Sequence, residues 1–409
     1  MAFGKALEER GHTVTFFNLL DTESTIKERG LRFIPFGLSV YPEGALKQIY
    51  EKIGKLQGPA AFQYFLERMI TQADTSFREL PALIEEEEIE ALVIDQLFPG
   101  GATVAQHLKL PYLSLANALA VNHEASVPPP TLPWAYDATE AGIARNEKGW
   151  QQIAQAFIPW RDADNAQRIA WGLQPYNDVL EDSFSPFAQI TQQPKFFDLP
   201  RSQAPANLHY VGPLNHAATR KQAAFPWEKL NGKPLVYASM GTLQNGLDHI
   251  FRTILDACAP LDLQLILSLG GGSLNQDQLG DLPPNAILVP YAPQFDVLAY
   301  ASLCITHAGL NTALDVLTQG VPMVAIPITN DQPGVAVRIQ WTRTGEILPL
   351  ADLTTERLQV MISQVMGDQQ YRANAKAIQR SIAQLSPLTT ACEILESKVL
   401  SQVASSLSK

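Results

Sequence analysis

The segment Leu303–Pro333, LCITHAGLNTALDVLTQGVPMVAIPITNDQP, concentrates the residues best suited to chemistry. The apolar run Leu303–Thr306 leads to His307, then to the small pair Ala308-Gly309, then to a helical pattern opening near Leu310–Asn311. A strand, a glycine turn and a helix start in that order leave main-chain N–H groups and a positive dipole end pointing past the strand. That is the chemistry of an anion site. Asn311 and Thr312 add side-chain donors, and His307 adds a donor or a positive charge. Asp315 follows one turn later with a carboxylate suited to ribose hydroxyls. Asp331 and Gln332 pair an acceptor with a donor, a combination suited to sugar hydroxyls. The same residues also fit ordinary strand–turn–helix packing, so their chemistry alone leaves both readings open.

Other candidate motifs are weaker. Ser239-Met240-Gly241-Thr242 follows the strand-like Leu235–Ala238, and its small residues would let a ligand approach the backbone. Gly270-Gly271-Gly272 lacks the Lys-Ser/Thr of a phosphate loop and reads as a plain loop. Asp162-Ala163-Asp164 has an Asp-x-Asp form that can hold a divalent metal. In this chain the pair lies in a Pro-flanked polar segment with no strand end beside it, so no metal is expected. His12, His107, His123, His209, His216 and His249 show no zinc spacing, and no nucleophile elbow is present. Glu85–Glu88 reads as the solvated end of a helix.

The elements that must position these residues alternate. Strand-like runs at Thr13–Phe17, Ala91–Ile94, Tyr112–Leu115, Leu235–Ala238, Gln264–Leu269, Ala286–Val289, Leu303–Thr306 and Met323–Ile326 are interleaved with helical periodicity. Examples of the latter are Ala45–Tyr50, Ala60–Phe77, Leu247–Ala257, Gly309–Thr318 and Pro333–Thr344. Such alternation predicts parallel sheets of an α/β fold. Runs such as LVYAS and MVAIP lack a polar alternate face, as strands covered on both sides do. The stretch ASVPPPTLP (Ala125–Pro133) reads as a rigid extended loop. Low periodicity between residues 192 and 234 places a linker near 200–232. The expected division is residues 1–205, 206–384 and a helical tail, 385–409, packing back on the first unit.

The chain has 409 residues, enough for two to three domains at about 150 residues each. It is 46% hydrophobic and 17% charged, a globular composition, and its net charge of −11 argues against nucleic acid as a partner. No apolar run is long enough to span a membrane, and the N-terminus shows no secretory signal. Cys258, Cys304 and Cys392 lie too far apart in sequence to suggest a disulfide or metal framework, so a reducing, cytoplasmic setting is expected.

Val289–Ile339 contains VPYAPQFDVL and then THAGLNTALDVLTQGVPMVAIPITNDQPGVAVRI. This long pattern resembles the donor-binding motif of inverting UDP-glycosyltransferases of the GT-B fold. RGHTVTFF, LVIDQLFPGGATVA, YVGPL and LVYASMGT extend the resemblance over most of the chain, and the bacterial macrolide and carotenoid (zeaxanthin-type) glucosyltransferases look most similar. The resemblance implies two Rossmann-like domains facing each other across a cleft. It implies that Tyr291, in place of the family's tryptophan, with Ala292 and Gln294, flanks the uracil and ribose. His307, Gly309, Asn311 and Thr312 would bind the diphosphate, with Ser239, Gly241 and Thr242 against it. Asp315 would reach the ribose, and Asp331 and Gln332 the sugar hydroxyls. No metal and no cofactor is implied, because a helix N-terminus and His307 can stabilise the leaving UDP.

The family's base is a histidine in a loop after the first strand, and the chain opens inside the helix that follows that loop. The strand and loop, about 15–20 residues, are therefore expected upstream of the assigned start. The alternative is a true truncation. Asp95 matches the aspartate that orients the histidine. The expected activity is transfer of a hexose, expected to be glucose, from a UDP-sugar to a hydroxyl of a hydrophobic small-molecule acceptor. Membrane contact follows only if that acceptor is lipid-dissolved. The alternatives are a nucleotide-sugar-binding protein without transfer, and nucleotide-sugar epimerisation. The acceptor is expected near Asn117–Pro130 and Phe62–Met69.

Overall fold

Parallel strands dominate, as the alternation predicts. The computed structural model describes residues 1–56, 58–220, 223–241, 248–270 and 276–403. Strands β1 (Thr15–Asn18) and β2 (Arg32–Pro35) pair as a two-stranded sheet. A four-stranded sheet follows in chain order: β3 (Leu92–Asp95), β4 (Tyr112–Ala116), β5 (Ala188–Thr191) and β6 (Leu208–Tyr210). The second half holds β7 (Leu235–Ser239), β8 (Gln264–Ser268), β9 (Ala286–Val289), β10 (Ala301–Thr306), β11 (Met323–Ala325) and β12 (Gly345–Ile347). Their order across the sheet is β12-β11-β10-β7-β8-β9, all parallel. This is the doubly wound order, with its reversal point between β7 and β10.

In the first half the helices are α1 (Ala2–Glu9), α2 (Glu23–Lys27), α3 (Ala45–Lys55), α4 (Gly58–Glu86), α5 (Gly101–His107), α6 (Glu140–Ala156) and α7 (Ile158–Ala170). The second half adds α8 (Asp248–Cys258), α9 (Gln276–Leu279), α10 (Gln294–Leu298), α11 (Leu310–Thr318), α12 (Gln332–Trp341), α13 (Thr355–Gly367) and α14 (Gln369–Ile382). The tail carries α15 (Pro387–Ile394).

Every residue of β7 and β8 is buried, because helices cover both faces of that sheet. The face formed by α8 shows how: Ile250, Phe251, Ile254, Leu255 and Cys258 recur at helical spacing and pack against Val236, Ala238, Leu265 and Leu267. The tail closes the first half. Cys392, Leu395 and Val399 bury against Phe3 and Leu7 of α1 and Leu113 of β4, each large apolar side chain contributing about 1.5–3 kcal/mol. Glu396 also accepts Arg10 at 2.6 Å and His12 at 3.1 Å.

Several features differ from the sequence expectation. Strands β2, β5, β6 and β12 are three or four residues long, too short to display a period. Because β6 pairs with β5, the change from one sheet to the next falls between Tyr210 and Leu235, later than residue 205. Asp162 and Asp164 lie inside α7 rather than in a polar loop. Asp162 pairs with Arg161, whereas Asp164 is buried beside Thr103.

Candidate functional site

The carboxyl ends of β7 and β10, adjacent at the reversal point, frame the site; Ser239 and Thr306 are partners in register. His307 follows β10 directly, and its ring lies between two glycines. A Cβ on Gly241 would sit 2.8 Å from the ring, and one on Gly309 would sit 2.6 Å from Nε2. Gly241 also has φ +77°, which glycine adopts without steric cost. Ala308, between His307 and Gly309, takes φ +64°, an uncommon conformation for a residue with a side chain. The turn thus compresses His307, Ala308 and Gly309 so that α11 starts at the strand end.

Gly309 is the N-cap of α11 and offers no side chain to its first turn, which also carries no acidic residue. The first N–H groups of the helix therefore lack the usual cap. The largely buried ring of His307 presents an Nδ1 that has no hydrogen-bond partner among the described residues. Burial pushes the pKa of His307 down to about 4, with a contact from the Ser239 backbone acting weakly the other way. The ring is therefore neutral near pH 7 in the free protein. This corrects the positive-charge option: the glycine-lined packing that holds the ring also desolvates it, and desolvation disfavours the cation. A neutral imidazole still supplies one N–H donor.

Asp315, on the next turn of α11, is held from both sides. Its Oδ2 accepts Gln294 Nε2 at 2.8 Å and its Oδ1 accepts Asn215 Nδ2 at 3.2 Å. Burial raises its pKa, and these hydrogen bonds oppose the rise. Gln294 opens α10 just after Tyr291 and the buried Ala292, and its Oε1 lies 3.4 Å from the hydroxyl of Tyr237. Tyr291 is near enough to Asp315 to sense its charge, and burial raises its phenol pKa. The loop 289–294 is thereby tied to α11 through Gln294 and Asp315.

The third loop follows β11. Asn330 takes φ +56°, turning the chain into α12, whose N-cap is Asp331. The Oε1 of Gln332 accepts the N–H groups of Ile328 at 2.8 Å and Thr329 at 3.0 Å. Its carbonyl is thus used by the loop. Asp331 Oδ2 accepts the N–H of Leu119, from the other half of the chain, at 3.0 Å. Thr242, together with Gly271 and Gly272, lies outside the described residues.

The first half reaches the site through residues that carry no motif. Gln192, just past β5, donates to Asn311 Oδ1 and to the carbonyl of Asn117, both at 2.7 Å. The Nε2 of the buried Gln193 has no partner among the described residues. Asp95 closes β3 and accepts the main-chain N–H of Leu97 at 2.9 Å; burial raises its pKa against backbone bonds from Leu97 and Asn117. Asp315 and Asp331 are the signals from which partners such as Asn215 and Leu119 could have been sought. Nothing in the pattern around Gln192 or Asn215 marks them. Among the described residues, no three His, Cys, Asp or Glu side chains are grouped to hold a metal, and no helix is long and apolar enough to cross a membrane.

Comparison with known proteins gives the family. Residues 177–389 match the family described as UDP-glucoronosyl and UDP-glucosyl transferase. A zeaxanthin glucosyltransferase of Pantoea ananas is 34% identical over 83% of this chain and 79% of its own length. The chain belongs to this family. A second zeaxanthin glucosyltransferase, from Pseudescherichia vulneris, is 30% identical over 90% of this chain and 86% of its own. Among solved structures, the kitacinnamycin glycotransferase superposes with a TM-score of 0.73 at 20% identity, covering 97% of this chain and 94% of that one. The calicheamicin glycosyltransferase CalG4 gives 0.72 at 20% identity, covering 98% and 94%. The fold is GT-B, with the doubly wound second half carrying the site just described.

Proposed function

We propose that this UDP-glycosyltransferase moves a hexose, glucose, from a UDP-sugar to a hydroxyl of an apolar small molecule, with inversion and without a metal. The observation that carries the reading is the unpartnered Nδ1 of His307 beside the uncapped start of α11, at the reversal point of the sheet. A diphosphate would meet the free N–H groups of the helix start, with the His307 ring alongside. As the bond from the anomeric carbon to UDP breaks, negative charge grows on the diphosphate, and a fixed dipole and an N–H donor stabilise it without reorganising. The acceptor oxygen attacks the opposite face and its proton passes to a base. Asp315 would hold the ribose, Tyr291, Ala292 and Gln294 the base and ribose, and Asp331 and the Gln332 amide the sugar hydroxyls. Ser239 and Gly241 would lie against the phosphates.

An apolar acceptor is supported by the names of the two zeaxanthin glucosyltransferase relatives. It is also supported by the aromatic group on α4 and the α6–α7 junction, where Phe62 and Phe157 lie 6.1 Å apart and Phe62 remains 40% exposed. A lipid-dissolved acceptor would bring the protein to a membrane surface; a soluble one leaves it in the cytoplasm. A second reading, binding of the nucleotide sugar without transfer, draws on Asp95. Its hydrogen bonds come from main-chain amides, whereas the family's aspartate orients a histidine.

The test combines binding and product analysis. His307→Ala is expected to weaken UDP binding by about 1–3 kcal/mol, and an unchanged affinity would overturn the diphosphate assignment. Turnover of UDP-glucose with a hydroxylated apolar acceptor in the presence of a chelator, giving a β-linked product by proton NMR, separates transfer from binding alone.

A further inference from the structure

Helix α12 carries a charge where its neighbours are apolar. Residues 334–339 are all buried, and Arg338 among them is 1% exposed. Its Nε and Nη2 donate to Asp198 Oδ1 at 2.9 and 2.6 Å, and its Nη1 donates to the carbonyl of Gly334 at 2.9 Å. Asp198 belongs to the other half, on the connection between β5 and β6. Its Oδ2 accepts the Tyr210 hydroxyl at 2.7 Å and Arg201 Nε at 2.9 Å. Arg201 in turn donates to the carbonyls of Asn122 at 3.3 Å and Ala120 at 3.4 Å and lies 3.8 Å from Glu124. Burial alone would raise the Asp198 carboxyl, but Arg338 and then Arg201 outweigh it and hold it ionised.

The same loop returns to the start of α12. Leu119 N–H meets Asp331 Oδ2 at 3.0 Å, and Gly334 N–H meets the Pro130 carbonyl at 2.8 Å. A Cβ on Gly334 would stand 2.6 Å from that carbonyl, so the approach requires glycine. A closed ring therefore runs from Arg338 through Asp198, Arg201 and the 119–124 loop to Asp331. Charges buried this deeply add little stability over a packed apolar pair, so the ring's distinctive product is registration of the parts it joins.

We propose that Arg338 and Asp198 are positioning residues that register α12 on the 119–130 loop, so that Asp331 and Gln332 meet the donor sugar only when both halves are joined. The assignment of Asp331 and Gln332 to the sugar rests on the proposed function; the registration itself does not.

Two readouts test it in R338M and D198N, with R338K as the conservative variant. Hydrogen exchange at the amides of Leu119 and Gly334 is expected to quicken by about tenfold or more in R338M and D198N, while the amides of α11 keep their protection. With UDP-glucose, kcat is expected to fall by about tenfold or more while the dissociation constant for UDP stays within about threefold, because the diphosphate groups lie on α11. R338K should recover part of both. Should R338M fail to fold, D198N, which keeps the side-chain volume, decides. Unchanged exchange at Leu119 and Gly334 in a folded variant overturns the registration. Faster exchange with unchanged kcat overturns its role in positioning the sugar site. A wild-type protein that binds no UDP defeats the proposed function instead, and the exchange comparison still decides the registration.

Discussion

His307 and Asp164 stand in different halves of the chain, and each is a buried polar side chain with one atom unpaired. Their surroundings differ. His307 follows a strand end at the reversal point of a sheet, next to an uncapped helix, with glycines making room for its ring. Asp164 sits within α7, where Thr103 faces its other oxygen at 3.4 Å and Arg168 approaches the same threonine at 3.1 Å. Burial pushes Asp164 up to about 7, against Thr103, Trp160 and Arg168, and pushes His307 down to about 4. Desolvation moves both, so a shifted pKa does not tell a site from a core. The topology does: one unpaired atom lies where a doubly wound sheet receives ligands, and the other lies under packed helices.

The two groups should therefore bend the stability curve in opposite directions, and the largest expected effect lies at Asp164. Its folded pKa of about 7 exceeds the ordinary 3.8, so its contribution is complete below about 3.8 and is lost as pH rises toward 7. Urea unfolding of Asp164→Asn should lack that decline, a difference on the order of 4 kcal/mol between pH 4 and pH 8. For His307 the folded value of about 4 lies below the ordinary 6.5. The unfolded chain then holds more protons between those values, so stability is complete above 6.5 and is lost as pH falls toward 4. His307→Gln should remove roughly 3 kcal/mol of that slope, and a variant titrating like the wild type would break the comparison.

Ligand affinity sharpens the contrast. Gly309→Ala displaces the His307 ring and should cost about 1–3 kcal/mol of UDP affinity by calorimetry. Asp164→Asn should leave UDP affinity within about 0.5 kcal/mol, since Asp164 lies on α7 in the first half of the chain and shares no partner with His307. An effect smaller than that of Gly309→Ala is expected at Gln192, whose removal as Gln192→Ala frees Asn311 and should change UDP affinity by about 1 kcal/mol or less.

Much of the His307 region was legible beforehand because its parts are close in sequence. The run Leu303–Thr306, His307, Gly309 and the helix behind it occupy one short stretch, where backbone rules fix the geometry. Asp164 was read differently. Prolines flanking its segment suggested a loop, yet Pro159 stands in the first turn of α7, where proline fits a helix. Arg338 had a signal in retrospect, a lone cation in the apolar run PGVAVRI, but its partner Asp198 lies 140 residues away. Gln192 and Asn215 carry no signal, since an amide near a linker is ordinary until the fold brings it to a strand end.

The sequence by itself determined the α/β alternation, the family and the local strand–turn–helix frame around His307, because strand, turn and helix starts are written in neighbouring residues. Tertiary structure alone decided the charge state of His307, the use of the Gln332 carbonyl by its own loop, and the ring joining Arg338, Asp198 and Asp331. Each of these depends on desolvation or on contact between segments far apart in the chain, and neither is encoded in local spacing.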